Sequence, residues 1–244
     1  MALAVREVRE GVAVVKLNRP EKRNAINLEM ARRILSELSQ GCEENMGVVL
    51  TGEGDVFSAG LDLAEVYSFK SLEESSTYFK TINNISRAAM ECPKPVVAFV
   101  NGHAIGYGME LLYFVDYVVA VRRATFSVPG IRYGLMTATP VVAPVLLGLR
   151  VRNLLDWEFK LTSEEAASWG LVQKLVDNAE EGLSASIAVV KKLADIPNFA
   201  SIKRYMKSCV KDLEKLWLNF EEFMAEAALG KETKSRIELF LKRQ

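Results

Sequence analysis

Two glycine-bearing stretches hold the residues best placed to do chemistry: Phe57-Ser-Ala-Gly-Leu-Asp-Leu63 and Val100-Asn-Gly-His-Ala-Ile-Gly-Tyr-Gly-Met-Glu110. In each, glycine lies between a run that reads as a strand and the start of a helix. Such junctions leave main-chain N–H groups without intrahelical partners, and unpaired N–H groups bind anions. Glu110 adds a carboxylate one turn into the second helix, where it is placed for proton transfer. The same position also suits a carboxylate that only steadies the helix start through its dipole. Taken alone, the first stretch is equally a plain structural turn; the co-occurrence of the two is the informative feature. A third group, Arg19, Lys22 and Arg23, is a tight basic cluster able to meet phosphates, or else a solvated basic turn.

The elements that hold these stretches alternate. Ala4 to Val8 and Val12 to Leu17 read as two strands broken at Gly11, an opening hairpin. Met30, Ile34, Leu35 and Leu38 recur at helical spacing behind Asn27, a plausible cap, and this helix is expected to end near Gly41. Gly47 to Leu50 reads as a strand and Thr51 to Leu63 as a loop that returns into structure. Ser71 to Met90 reads as a helix, Pro95 to Val100 as a buried strand, Gly106 to Tyr113 as a helix and Tyr117 to Val121 as a strand, an α/β rhythm. Beyond residue 140 helices are expected to dominate and strands to give out. Thr162-Ser-Glu-Glu165 has the form of a capping box, with Gly170 as a C-terminal glycine. Leu213, Leu216, Trp217, Phe220, Phe223 and Met224 form one broad apolar helix face, to be covered by the chain's own domain or by another subunit.

Composition narrows the function classes. With 31 basic and 31 acidic residues among 244, the chain carries no net field to draw it onto nucleic acid or anionic lipid, so an anionic ligand has to be held locally. No apolar run approaches the ~20 residues of a membrane span, and the first dozen residues alternate apolar with charged ones, unlike a signal peptide. Cys42, Cys92 and Cys209 are widely spaced and odd in number, which argues against a disulfide scaffold or a zinc site and for a reducing cytoplasm.

The two glycine stretches resemble the patterns F-x-A-G-x-D-L and V-N-G-x-A-x-G-G-G-x-E of the crotonase (enoyl-CoA hydratase/isomerase) superfamily. The likeness extends from Leu17-Asn-Arg-Pro-Glu-Lys-Arg-Asn-Ala25 through Leu161 to Val172 to the closing Ile237-Glu-Leu-Phe-Leu-Lys-Arg243. It implies an α/β fold in which a spiral of ββα units, residues 1–185, is followed by a helical trimerisation region, 186–244, and an assembly that is a homotrimer or a dimer of trimers. It also implies an acyl-CoA whose thioester carbonyl is held by the amides of Leu61 and Tyr107, with Glu110 as acid/base. Ala59, Gly60, Asp62, Leu63, Gly106, Gly130 and Tyr133 then join Arg19, Lys22 and Arg23 as substrate-binding positions. Coenzyme A enters as part of the substrate, with no separate cofactor and no metal.

The chain departs from the pattern twice. Tyr107 stands where the family usually has glycine, so its ring either packs away from the ligand, or narrows the acyl pocket or supplies a phenol to it. Gly130, in Ala124-Thr-Phe-Ser-Val-Pro-Gly-Ile-Arg-Tyr-Gly-Leu135, stands where hydratases place a second glutamate, and the later isomerase position, about Ala138, also lacks an acid. Loss of one such group typically costs ~10²- to 10⁴-fold in rate. Three readings follow: a hydratase- or isomerase-type enzyme working through Glu110, with Tyr107, Arg132, Tyr133 or Thr137 as candidate helpers; another enolate reaction such as decarboxylation or thioester hydrolysis; or a non-catalytic acyl-CoA-binding homologue. His103, the sole histidine, is read as packed or exposed rather than catalytic.

Overall fold

Strand composition decides which strands lie inside. In the computed structural model, which describes residues 2–243, the main sheet takes Ala4–Arg9 (β1), Val12–Leu17 (β2) and Val48–Gly52 (β3). A second sheet begins with Val56–Ser58 (β4). Val96–Val100 (β5) returns to the main sheet and His103–Ile105 (β6) to the second; Tyr117–Val121 (β7) and Thr125–Ser127 (β8) repeat the step. Leu161–Thr162 (β9) closes the second sheet and Lys174–Val176 (β10) the first, giving orders β1-β2-β3-β5-β7-β10 and β4-β6-β8-β9. The apolar runs β2, β3, β5 and β7 are buried almost throughout, as expected of parallel strands covered on both faces. Successive strand pairs thus divide between two sheets, which is the spiral of ββα units that the resemblance implies.

Helices fill the rest. Leu28–Glu44 (α1) is capped by Asn27, whose side chain accepts from Met30 N. Leu63–Ser68 (α2) and Leu72–Glu91 (α3) follow β4, and Tyr107–Glu110 (α4), continued by a 3-10 turn over Leu111–Tyr113, follows β6. Thr139–Leu147 (α5) and Ser163–Ser168 (α6) lead to Ala179–Ala194 (α7), which runs across the 185/186 boundary. Phe199–Met206 (α8), Ser208–Lys211 (α9), Glu214–Ala227 (α10) and Lys231–Leu241 (α11) complete the chain. The capping box at Thr162 and Glu165 is formed, and Gly170 has a positive φ of 78° past the end of α6.

Five expectations need correction. α1 continues past Gly41 to Glu44, because the glycine serves close packing: an added β-carbon would lie 3.0 Å from Ala13 and 3.1 Å from Val48. The stretch after Thr51 contains β4, and two strands form beyond residue 140; at two or three residues each, these short strands depend on neighbours supplied by the tertiary fold. The apolar face of α10 is divided, with Trp217 and Met224 buried and Leu216 and Phe223 more than half exposed. Finally, Cys42 and Cys92 form a disulfide, their Cα atoms 6.0 Å apart, because packing of α1 on α3 joins positions 50 residues apart; Cys209 is free. That pairing removes the cysteine argument for a reducing compartment. Among the described residues no helix is long and apolar enough to cross a membrane.

The C-terminal helices are stitched to the core through one carboxylate. Asp116 accepts from Val96 N at 2.8 Å and from Lys203 Nζ at 2.7 Å, and Lys207 Nζ lies 2.9 Å from its other oxygen. Lys203 Nζ also donates to the carbonyls of Ala89 and Lys94, and Lys207 Nζ to that of Phe114. Burial lowers the pKa of both lysines despite the favourable charge of Asp116, that of Lys203 to about 8.

Candidate active site

The two glycine stretches follow adjacent parallel strands, β4 and β6, in register at Ser58 and Ala104. Neighbouring strands lie about 4.8 Å apart, so what leaves their C-terminal ends stays side by side. After β4, Ala59 N donates to Arg23 O, Gly60 N to Ser58 Oγ and Asp62 N to Ile26 O. Leu61 is different. The parallel bridge to Ile26 uses Gly60 O and Asp62 N, which turns the Leu61 N–H away from that partner. Among the described residues it donates to no protein acceptor. After β6, Gly106 N donates to Ser127 O, while Tyr107 N and Gly108 N, the first amides of α4, have no acceptor among the described residues.

Glycine is required on both sides of this junction. Gly106 has φ 56° and ψ −125°, a conformation essentially closed to other residues. Gly60 has φ +83°, and a β-carbon there would stand 2.6 Å from Ile105 O and 2.8 Å from Tyr107 N. The loop carrying the Leu61 amide therefore abuts the Tyr107 amide with no side chain between them. Two unpaired donors at the ends of adjacent strands can bind one oxygen that is gaining charge.

The Tyr107 ring takes the outward course of the two expected. It is buried, and its hydroxyl donates to Ile82 O at 2.8 Å and lies 3.0 Å from Ser86 Oγ, both on α3. Burial raises the pKa of the phenol, and its hydroxyl is already engaged, so it is no proton donor to a ligand. The tyrosine anchors the α4 start and leaves its own N–H free.

Glu110 lines the cavity beside these amides, but its carboxylate is occupied. Oε1 accepts from Thr137 N, Ala138 N and Thr139 N at 2.8–3.1 Å, and Oε2 from Thr137 Oγ1 at 2.7 Å and Thr137 N at 3.1 Å. α5 has no side-chain cap of its own, so Glu110 supplies acceptors for the orphan amides at its start. To act as a base it has to give up one of these bonds.

The cavity itself is small, about 60 Å³, and mostly apolar, lined by Leu61, Tyr107 and Glu110 together with Pro129, Gly130, Tyr133, Leu135 and Met136. Gly130 lines the cavity at the position where hydratases of the resembled pattern carry a second carboxylate, and the backbone leaves no room for one: an added β-carbon would lie 2.1 Å from Leu135 O. Ala59, Gly106 and Leu63 also line the cavity. Two wider surface grooves, of about 430 and 490 Å³, run along β1 and α1 away from the unpaired amides.

The basic cluster divides. Arg19 Nη1 donates to Asp62 Oδ2 at 2.5 Å and to Ala25 O at 3.0 Å, while Asp62 caps α2 through Ala64 N and Glu65 N, so this pair fastens the donor loop. Lys22 and Arg23 are exposed and, among the described residues, form no ion pair, which leaves them as the members available to phosphate. His103 is exposed, with Nδ1 2.9 Å from Thr125 Oγ1, and does not line the cavity. No group of three or more His, Cys, Asp or Glu among the described residues is arranged to hold a metal ion.

Several positioning residues escaped the sequence reading. Asn24, fully buried with φ 54°, donates to Val56 O and Glu53 O and accepts from Arg19 N. Asn101 accepts from Gly52 N and donates to Gly54 O. Tyr78 Oη donates to Ile26 O and accepts from Asp62 N, and Ser58 Oγ donates to Asn24 O. A buried amide or hydroxyl that satisfies loop backbone gives no spacing signal; only the presence of Asn24 and Asn101 within the quoted stretches points to them.

A family profile described as Enoyl-CoA hydratase/isomerase matches residues 7–241. Enoyl-CoA hydratase domain-containing protein 3, mitochondrial, of Rattus norvegicus is 28% identical over 245 residues, covering 96% of this chain and 80% of that protein. A probable enoyl-CoA hydratase of Rhodobacter capsulatus is 32% identical over 202 residues, 76% of this chain and 78% of its own length. The crystal structure of an enoyl-CoA hydratase from Bacillus halodurans superposes with a TM-score of 0.88 over 97% of this chain and 99% of that one; at 23% identity it shares the fold.

Proposed function

The chain belongs to the enoyl-CoA hydratase/isomerase family, and from that premise we propose that it binds an acyl-CoA thioester and stabilises the enolate formed from it. The observation that carries this reading is the pair of unused amides at Leu61 and Tyr107, set side by side by β4 and β6. A thioester oxygen gains charge as the α-carbon loses a proton, or as a nucleophile adds to the β-carbon of a conjugated enoyl chain and the π electrons move to the carbonyl, and fixed N–H dipoles there lower the barrier by ~3 kcal/mol each. Lys22 and Arg23 are the proposed phosphate contacts. Glu110, the one carboxylate lining the cavity among the described residues, is the proposed acid/base, moving a proton at the acyl chain after releasing one of its bonds to the start of α5.

Glutamine at position 110 tests this role. Its carbonyl oxygen can still accept from Thr137 N, Ala138 N and Thr139 N, and its amide can donate to Thr137 Oγ1, although that amide then faces the Thr137 N–H that donated to Oε2 at 3.1 Å, so α5 keeps most of its cap. Glu110→Gln is expected to fold with a melting temperature lower by a few degrees and to lose acyl-CoA turnover by ~10²- to 10⁴-fold. Undiminished turnover in a well-folded variant means that Glu110 is a helix cap and no more.

A second reading is favoured by the filled acceptor sites of Glu110 and the blocked position 130. In it the amide pair alone assists decarboxylation or thioester hydrolysis, reactions that need no pair of acids. Mass-spectrometric product analysis with enoyl-, hydroxyacyl- and malonyl-CoA separates the two: decarboxylated malonyl-CoA or released free CoA, with no hydrated or isomerised acyl-CoA, selects the second. A homotrimer or dimer of trimers is part of the proposal, supported by the exposed Leu149, Leu155, Tyr205, Met206 and Phe223. A monomer mass by light scattering removes that part.

A further inference from the structure

Helix α11 is tied to both rims of the acyl cavity. On one side Lys234 Nζ donates to the carbonyls of Val66 at 3.3 Å, Tyr67 at 2.5 Å and Phe69 at 2.8 Å. These carbonyls lie at the C-terminal end of α2, whose own start at Leu63 lines the cavity. On the other side Arg236 Nη1 donates to Arg132 O at 2.9 Å, and Phe240 meets the ring of Tyr133 edge-on, centroids 5.8 Å apart. Between them Ile237 is fully buried. Helix ends leave carbonyls that need donors, and a cation there also favours the helix dipole. Here the donor comes from a residue 168 positions along the chain, so the bonds that end α2 also fasten α11.

We propose that Lys234 is a positioning residue that buckles α11 across the acyl cavity, so that the chain's own last helix fixes the Tyr133 wall against which the acyl group packs. This rests on the acyl-CoA reading above. The cavity wall at Tyr133 has Phe240 behind it, and Phe240 keeps its place only while α11 stays docked. Free coenzyme A, which has no acyl group to pack there, does not sense the strap.

The test compares Lys234→Met, which keeps the apolar stem and loses the donors, with Lys234→Arg, which keeps the charge. Hydrogen exchange of α11 is read alongside kcat and KM for an acyl-CoA and Kd for free CoA. Lys234→Met is expected to speed exchange in α11 and to raise the acyl-CoA KM about tenfold, with kcat and the free-CoA Kd unchanged and with Lys234→Arg restoring KM. Phe240→Ala, which leaves the α2 carbonyls capped, is expected to give the same KM-selective rise, and it carries the test should Lys234→Met fail to fold. An unchanged KM in Lys234→Met or Phe240→Ala, or a loss confined to kcat, overturns the strap while leaving the acyl-CoA reading intact. A wild-type protein that binds no acyl-CoA overturns that reading and the strap with it.

Discussion

Proline in place of Leu61 is expected to cut acyl-CoA turnover by about 10²- to 10³-fold, the usual cost of deleting one oxyanion-binding donor. The expected specificity of this loss comes from the local hydrogen bonding. Gly60 O and Asp62 N make the bridge to Ile26, and Gly60 N and Ala59 N are satisfied by Ser58 Oγ and Arg23 O. No bond of the fold uses Leu61 N among the described residues, so removing it costs the protein little. The α-hydroxy analogue of leucine, which turns this amide into an ester and keeps the side chain, is the cleaner form of the same deletion. Steady-state kinetics with a thermal melt checks both. Wild-type turnover from a chain lacking this N–H contradicts the assignment. The equivalent change at Tyr107 is less informative, because the Tyr107 ring is lodged on Ile82 and Ser86 and its loss disturbs α3 as well.

Asp116→Ala is expected to produce the largest loss of stability, about 3–5 kcal/mol, since it leaves a buried ammonium without its counter-charge. For a domain of this size that corresponds to a melting temperature lower by roughly 6–20 °C. Lys203, whose side chain is 3% exposed, and Lys207 both lose their carboxylate, and Val96 N loses its acceptor. pH gives a second readout. The Lys203 pKa falls from 10.5 unfolded to about 8 folded, so between these values the unfolded chain binds more protons and wild-type stability rises with pH. The contribution is complete above 10.5, is lost as pH falls through 8, and amounts to about 3 kcal/mol at most. Removing Asp116 pushes the lysine further down, so the deficit of the variant should be smaller at a pH of about 9 than at about 6. Thermal melts across that range check it; a deficit independent of pH places the cost elsewhere.

Much of this was legible where local chemistry and tertiary role coincide. Gly60 and Gly106 are needed by their own φ values, so their place between strand and helix is visible in the residues themselves. Asn27, Thr162 and Gly170 act within a few residues of where they stand. What the residues did not show depends on distant partners. The course of the Tyr107 ring is decided by α3, and the occupation of Glu110 by amides 27 to 29 positions away. The Cys42–Cys92 bond follows from the packing of α1 on α3, and Arg19 is withdrawn from solvent by Asp62, 43 residues on. Gly130 is the clearest case: read in sequence it is an empty catalytic position, but in the fold the Leu135 carbonyl occupies the space a side chain would need.

Placement of one ligand oxygen between the two main-chain amides is tested most directly by a crystal structure of the protein with a non-hydrolysable acyl-CoA analogue. The expected result is a carbonyl oxygen about 2.7–3.1 Å from both Leu61 N and Tyr107 N. A carbonyl seated elsewhere in the cavity, or either amide donating to a protein acceptor in the complex, contradicts it.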